Sequence, residues 1–249
     1  MAYFNTLRFF RVFALATGAI VASFSLVSCA VTYQFAPIEA WVVDAETGAP
    51  IEGAVITANW ELVKGSFDGP RYFGQLDVQE TVTDKSGRFY FAGFSKNDSS
   101  GAELRESDPQ ILIFKAAYEF QRFTNDYIDG GAGLKKLERT AAVNGKTVRL
   151  SKQSLDKERL YVSHSRLVRT GLDFVRKTMP HRNEIESCYW QAIPNMILET
   201  RKQEQYMRSI GIDPPSLYDY LLLTSDAITA RAIKPCNSPK TLFTAGEKQ

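Results

Sequence analysis

The chain has two histidines, and both lie beside residues with which they could do chemistry. His181 and Glu184 form a His-x-x-Glu pattern, which offers two ligands to a zinc ion. A catalytic zinc of this type needs a third protein ligand, which we would expect to be a histidine well downstream of the pair. The remaining histidine, His164, lies upstream instead. Ser163 and Ser165 flank His164, but no Gly-x-Ser-x-Gly sequence accompanies them. We therefore expect no metal site, no cofactor and no catalytic residue.

Cys29 ends a leader-like segment at the N-terminus. Arg8 and Arg11 are the charged side chains of residues 1–29, and a mostly apolar run from Val12 to Val27 follows them. A short basic start followed by an apolar run is typical of a secretory signal peptide. A transmembrane anchor is the alternative, although it needs roughly 20 apolar residues and this run is slightly shorter.

The sequence Leu26-Val27-Ser28-Cys29 resembles the lipobox of bacterial lipoproteins. That family places a thiol nucleophile after small residues, with an aliphatic residue three positions upstream. The resemblance implies that residues 1–28 are a signal peptide that is removed and that Cys29 is acylated. Several acyl chains hold a protein on a bilayer where one chain binds only marginally. Ala30, rather than aspartate, follows the cysteine, which in a Gram-negative host favours anchoring at the periplasmic face of the outer membrane.

Cys188 and Cys236 remain once Cys29 is assigned to the lipid. An even number of cysteines in an oxidising compartment predicts a disulfide bond between them. Such a bond would close a loop of about 49 residues and stabilise the fold by roughly 4 kcal/mol in the chain-entropy model. Two buried free thiols are the alternative.

The charge of the chain is divided unevenly along its length. The formal net charge is +2, and both surplus cations lie in residues 1–29, so the remainder balances 28 basic against 28 acidic side chains. Residues 30–152 hold 14 basic and 17 acidic side chains, whereas residues 153–249 hold 14 and 11. A neutral chain lacks the surplus of Lys and Arg that binding to phosphate backbones requires, so we expect no nucleic-acid partner.

Near the start of the second half, basic side chains outnumber the two acidic residues Glu158 and Asp173 and form a basic face. The candidate contacts with an anionic surface are Arg159, Arg166, Arg169, Arg176 and Lys177. In a membrane-anchored protein these side chains could meet anionic lipid headgroups or the acidic first half of the same chain. A solvated helix face is the alternative.

Short apolar runs separated by Gly, Pro, Asp and Asn predict strands and turns up to residue 152. The predicted strands are 39–44, 54–59, 79–84, 88–92, 111–115 and 147–151. The Asp-x-x-Gly sequence at Asp84–Gly87 predicts a turn that joins the third and fourth of these strands in a hairpin.

Beyond residue 152, apolar residues recur at helical spacing. We expect a first helix that reaches Met179 and a second that Pro194 kinks or splits and Gly211 stops. A third helix is expected after Pro214-Pro215-Ser216. The predicted units are a signal peptide (1–28), a lipidated tether (29–35), a β-sandwich (36–152) and an α-helical region (153–249).

The first half resembles the carboxypeptidase regulatory-like domain, a transthyretin-like β-sandwich. The matching residues are Val43-Asp44, Thr47-Gly48, Pro50-Ile51, Gly53-Ala54-Val55, Thr83-Asp84 and Gly87-Arg88-Phe89. The chain departs from the family at Ala117-Tyr118, where the family has Gly-Tyr, so we expect a different turn there. The resemblance implies a transthyretin-like antiparallel β-sandwich. Together with the C-terminal α-helical region that the helical spacing predicts, we expect an α+β fold.

The carboxypeptidase regulatory-like domain is a noncatalytic module in secreted, cell-surface and outer-membrane proteins. We therefore expect a protein that is not an enzyme but a binding or scaffolding module of the cell envelope. Its partners would be the membrane, through the lipid, and an envelope protein. The alternative is an envelope enzyme with an active site between the β-sandwich and the helical region.

Overall fold

The computed structural model describes residues 30–125, 128–129, 135–136, 141–175 and 189–221. Within these ranges the chain has an α+β fold, in which strands occupy the first part and helices follow. Most strand pairs are antiparallel and form a sandwich. The predicted order, a β-sandwich followed by an α-helical region, is confirmed.

Among the described residues, every strand precedes the first helix. The strands are β1 (Val31–Phe35), β2 (Ile38–Asp44), β3 (Val55–Lys64), β4 (Arg71–Val82), β5 (Arg88–Phe91), β6 (Phe94–Asp98), β7 (Glu103–Leu104), β8 (Gln110–Phe114), β9 (Gln121–Phe123), β10 (Ile128–Asp129), β11 (Lys135–Lys136) and β12 (Thr147–Leu150). The helices are α1 (Lys157–Arg166), a π-helical turn (Leu167–Gly171), two 3-10 turns (Asp173–Val175 and Tyr189–Ala192) and α2 (Pro194–Ser209).

Two sheets form the sandwich. One joins β4, β3, β8 and β9 in that order, with β7 also paired to β3, and the other joins β12, β2 and β5. Alternating side chains from both sheets fill the space between them, among them Val42, Ala58, Trp60, Phe89 and Ile113. One pair departs from the antiparallel prediction, because β12 runs parallel to β2.

The turn at Asp84–Gly87 forms, but the predicted hairpin is wrong. The Gly87 amide donates to the Asp84 carbonyl at 2.9 Å, and Gly87 has a φ of +74°. However, β4 pairs with β3 in one sheet and β5 pairs with β2 in the other. The turn therefore carries the chain across the sandwich. A Cβ at this position would overlap the Val42 carbonyl oxygen, so the crossing needs glycine.

Residues 31–35, predicted as part of a tether, form strand β1 instead. This strand pairs antiparallel with β6, from Val31 beside Asp98 to Phe35 beside Phe94. The Phe35 ring centroid lies 4.6 Å from that of Phe94 and 5.3 Å from that of Trp60. Burial of Phe35 in this aromatic cluster explains why the segment is folded rather than extended in solvent.

The helical region covers the outer face of the sheet that contains β3. Val55, Leu112 and Phe114 point outward from this sheet and are only 2, 3 and 0 % exposed. The side chains that cover them include Leu167, Val168, Leu172, Phe174, Trp190, Ile193 and Met196. Because both faces are covered, every residue of β3 from Val55 to Val63 is buried.

The helices differ from the prediction in how they end and begin. The first helix is α-helical only to Arg166 and then continues as the π-helical and 3-10 turns up to Val175. Of the two outcomes predicted for Pro194, the structure shows the split, because the 3-10 turn ends at Ala192 and Pro194 is the first residue of α2. Proline is tolerated there because the first amides of a helix have no intrahelical acceptor.

The predicted end of the second helix and the predicted beginning of the third are confirmed. Gly211 follows α2 with a φ of +77°, and its amide donates to the Arg208 carbonyl at 3.1 Å. A new helix then begins at residue 217, directly after Pro214-Pro215-Ser216. In the described part of the chain, no helix is long and apolar enough to cross a bilayer.

Candidate functional site

Three of the five predicted basic contacts lie in the described residues, and all three are exposed. Arg159 and Arg166 are seven residues apart on α1 and its end, so they share one helix face. Arg169 lies in the π-helical turn that follows. Arg176 and Lys177 lie outside the described residues.

Arg159 and Arg166 border an open groove between α1 and β9, here called the arginine groove. Its volume is about 750 Å³. The lining residues are Glu119, Phe120, Arg122, Asp156, Glu158, Arg159, Val162, Ser163 and Arg166. Arg122, a strand residue from the first half of the chain, was not among the predicted contacts. Its place beside α1 follows from sheet pairing, which local sequence patterns do not reveal.

The arginine groove carries both signs of charge. Its lining includes three carboxylates and three guanidinium groups. The Asp156 carboxylate already accepts one hydrogen bond, from the Arg159 amide at 2.9 Å, as the N-cap of α1. Within the described chain, Arg159 and Arg166 form no ion pair, so both guanidinium groups are free to meet carboxylates of another molecule.

Backbone contacts fix α1 beside the sandwich. The Glu119 amide donates to the Ser151 carbonyl at 2.9 Å, and the Gln153 amide donates to the Ala117 carbonyl at 2.8 Å. Arg122 adds a side-chain contact, because its guanidinium donates to the Thr170 carbonyl at 3.4 Å. The two walls of the arginine groove are therefore held by bonds close to the groove itself.

The turn after β8 is held by two side chains of α2. Ala117 has a φ of +71°, so this alanine adopts the left-handed conformation that glycine favours. The Ala116 amide donates to Glu199 Oε1 at 3.0 Å, and the Ala117 amide donates to Gln203 Oε1 at 2.9 Å. Glu199 and Gln203, one helical turn apart, thus satisfy a strained turn in the sandwich.

Two carboxylates in the contacts between α2 and the sandwich, Glu199 and Glu80, have shifted pKa values. Burial opposes ionisation of Glu199, but hydrogen bonds from Lys202 and Ala116 and the charge of Lys115 outweigh it, so its pKa lies below the ordinary value. Glu80 in β4 accepts the amides of Asn195 and Met196, at 2.9 and 2.7 Å, at the start of α2. Burial raises the Glu80 pKa, although these hydrogen bonds oppose the rise.

A second group of ionisable side chains lies around Glu61, on the outer face of the same sheet. Glu61 is 0 % exposed and pairs with Arg105 at 2.5 Å, and Asp108 is 1 % exposed. Burial raises the pKa of Asp108 to about 7, and the charge of Glu61 adds to the rise. The Glu61 amide donates to Asp108, which opposes it. We call these three side chains the buried network.

His164 has a structural position rather than a catalytic one. Its side chain is buried, and Nε2 lies 3.0 Å from the Pro215 carbonyl, which can only accept, so Nε2 donates. Glu204 Oε1 lies 3.7 Å from the same nitrogen and accepts the Leu217 amide at 2.7 Å. His164 therefore connects α1 to the segment that leads into the helix beginning at residue 217.

The remaining predicted site residues are outside the described part of the structure. These are Cys29, Cys188, Cys236, His181 and Glu184. Among the residues that the structure does describe, no cluster of three or more His, Cys, Asp and Glu side chains is arranged to hold a metal ion.

Comparisons with known proteins show only low similarity. No protein-family model and no curated protein matches the chain. A Streptococcal ancillary pilin shares 13% sequence identity at a TM-score of 0.22, over 47% of this chain and 29% of the pilin. A 9R-lipoxygenase from Cyanothece PCC8801 shares 15% identity at a TM-score of 0.23, over 94% of this chain and 32% of the enzyme. The chain thus spans less than two thirds of the length of either protein.

Proposed function

We propose that the chain is a bacterial lipoprotein that serves as a noncatalytic binding or scaffolding module of the cell envelope. It is anchored at the periplasmic face of the outer membrane through Cys29. The lipobox-like sequence at residues 26–29 supports the anchor, and the resemblance of the first half to a carboxypeptidase regulatory-like domain supports the noncatalytic role.

The arginine groove is the observation that carries the binding function. It places the free guanidinium groups of Arg159 and Arg166 beside Val162, which is 49% exposed. Protein interfaces combine an apolar contact with arginine and a polar rim in this way. The partner that fits is an envelope protein segment with carboxylates facing the two arginines and a cation facing Glu119 or Glu158.

Substitution of the lipidation residue tests the anchor. Cys29→Ser should abolish labelling with radioactive fatty acid and release the protein from the membrane fraction, because the lipobox-like sequence then has no thiol to be acylated. Continued membrane association of this variant, with an intact leader, would instead support the transmembrane alternative. Alanine substitution of Ser163, which changes a hydroxyl far from the leader in sequence, serves as the control.

Site-specific photo-crosslinking tests the partner. A crosslinking residue in place of Val162 should form a discrete adduct in cells, and one in place of Tyr206, 43% exposed on α2, should not. Combining Arg159→Glu with Arg166→Glu should abolish the adduct, whereas Arg149→Glu, an exposed cation on β12, should leave it intact. Equal adducts from both crosslinker positions would contradict a partner at the arginine groove.

One observation favours the alternative of an envelope enzyme. Asp108 has a pKa raised to about 7, a value suited to proton transfer, and it lies beside Glu61 and Arg105. Both carboxylates are almost completely buried, so we assign the buried network a structural role. Under the enzyme alternative, Asp108→Asn would abolish an envelope hydrolase activity while the crosslinks from Val162 remained unchanged.

A further inference from the structure

The hairpin between β3 and β4 carries a fully exposed aromatic side chain at its tip. Phe67 has an exposed fraction of 110%, the highest among the large apolar residues described. The turn around it is well formed, because the amides of Ser66 and Gly69 each donate to the other residue's carbonyl, at 3.1 and 3.0 Å. Arg71 also pairs with Asp68 at 2.6 Å across this turn. The tip therefore presents Phe67 on an ordered support.

Strand β1 shows which end of the molecule is nearest to the N-terminal attachment. Phe35, at the end of β1, packs on Trp60 in the middle of β3. Tyr33, two residues earlier, donates to the Ala102 carbonyl at 3.4 Å, and the residues after Ala102 pair with Leu62 and Val63. Going backward along β1 therefore means going forward along β3, toward the hairpin tip.

The first residue of β1 consequently lies at the same end as Phe67. The four steps from Phe35 to Val31 cover about 13 Å, and the four steps from Trp60 to Lys64 cover a similar length. Val31 is 47% exposed and only two residues from Cys29. Val31 and the hairpin tip therefore face the same side of the molecule.

We propose that the β3–β4 hairpin tip inserts Phe67 into the bilayer surface to which the N-terminus is anchored, so that the protein stands with β3 directed at the membrane. This inference rests on the proposed membrane attachment. Phenylalanine is favoured at the boundary of headgroups and acyl chains. Lys64 and Arg71 flank Phe67 and are exposed; Arg71 is paired with Asp68, so Lys64 is the cation that can contact lipid phosphates.

This orientation also decides where the arginine groove points. Arg122 pairs with Leu112 of β8, which pairs with Thr57 of β3. From Thr57 to Lys64 is seven strand steps, or about 24 Å along β3. The arginine groove therefore stands clear of the bilayer and opens to the periplasm, where a protein partner rather than lipid headgroups can reach Arg159 and Arg166.

The experiment compares tryptophan probes at the two ends of the molecule. Phe67→Trp marks the tip, and Leu155→Trp is the matched control, because Leu155 is 86% exposed and lies near the turn at Ala117. That turn follows Phe114, which pairs with Val55, about 30 Å from Lys64 along β3. Both variants are made as full chains with their leader, reconstituted into phosphatidylcholine and phosphatidylglycerol vesicles, and read with brominated phosphatidylcholine as quencher.

The expected result is loss of the added emission of Phe67→Trp and full retention of that of Leu155→Trp, each measured against the unsubstituted protein. If the chain sediments with the vesicles but neither probe is quenched, the tip inference is overturned and the anchor stands. Quenching of both probes overturns it too, because the protein would then lie on its side. A chain that does not sediment with the vesicles contradicts the proposed anchor, and the inference fails with it.

Discussion

The two faces of β3 are both buried, yet they are built from different residues. The face toward the three-stranded sheet carries Ile56, Ala58, Trp60 and Leu62. The face toward the helical region begins with Val55 and continues with Thr57, Asn59 and Glu61, which are 0, 3 and 0 % exposed. The first face is an ordinary hydrophobic core, whereas the second changes from apolar to polar along one strand.

This difference shows that the outer face of β3 is buried by two kinds of interaction. At the Val55 end, the aliphatic and aromatic side chains of the helices exclude water. At the Glu61 end, burial depends on pairing, because a buried charge without a partner is costly. The helical region is therefore part of the same folding unit as the sandwich rather than an independent addition to it.

Truncation of Phe114 breaks the apolar end of the outer face and should have the largest effect. Phe114→Ala should lower the free energy of unfolding by about 3–5 kcal/mol, since the side chain is 0 % exposed beneath the helices. Urea unfolding followed by far-ultraviolet circular dichroism and by tryptophan fluorescence should still show one coincident transition. Two separate transitions would mean that the helical region folds independently of the sandwich.

The predicted Cys188–Cys236 bond would strengthen the helical cover covalently. Thiol titration of the unfolded mature protein should find no free thiol without reductant. Cys188→Ser combined with Cys236→Ser should lower the free energy of unfolding by about 2–4 kcal/mol, because the unfolded chain gains freedom. Two titratable thiols in the untreated protein would support the alternative of buried free cysteines.

Asp108 makes the polar end of the outer face sensitive to pH. Its pKa is about 7 in the folded protein and 3.8 as its ordinary value, so the folded state holds a proton that the unfolded state has lost. The stability that Asp108 contributes is full below about pH 3.8 and is lost as the pH rises to about 7. Asp108→Asn keeps an acceptor for the Glu61 amide but cannot ionise. The variant should therefore gain stability relative to the unsubstituted protein between pH 4.5 and pH 7, as measured by urea unfolding at a series of pH values.

Glycine at position 117 should have the smallest effect, and a favourable one. Ala117→Gly removes the steric cost of a left-handed alanine, about 1 kcal/mol, while its amide can still donate to Gln203. Ala116→Gly, next to it, serves as the control and should be neutral or destabilising. Equal effects of the two substitutions on the urea midpoint would contradict strain at Ala117.

The sequence predicts the parts of this fold that depend on local patterns. Alternation and turn residues identify β2, β8 and β12 and the turn at Asp84–Gly87, because these depend on neighbours within a few residues. The partner of each strand depends on contacts across the whole chain, so the hairpin prediction was wrong although its turn was correct. Arg159 and Arg166 were both predicted as part of a basic face, and the structure places them seven residues apart on one helix face.

The contacts between the helical region and the sandwich had no sequence signal of this kind. Glu80 meets Met196 and Glu199 meets Ala116 across 116 and 83 residues. Arg122 joins the arginine groove through the pairing of β9 with β8. A carboxylate in a strand, such as Glu61, indicates an ion pair wherever the strand is buried, because an unpaired charge inside a sheet is costly.

The parallel pairing of β2 with β12 has a consequence for how the protein folds. Trp41 lies beside Thr147, so the three-stranded sheet cannot close until more than a hundred residues have been brought together. Closing so long a loop loses much chain entropy before any contact compensates for it, which slows folding. The sheet of β3, β4 and β8 uses nearer neighbours and should form first. A chain that emerges residue by residue would then acquire its β3–β4 hairpin early and its closing strand late, just before the helices that follow.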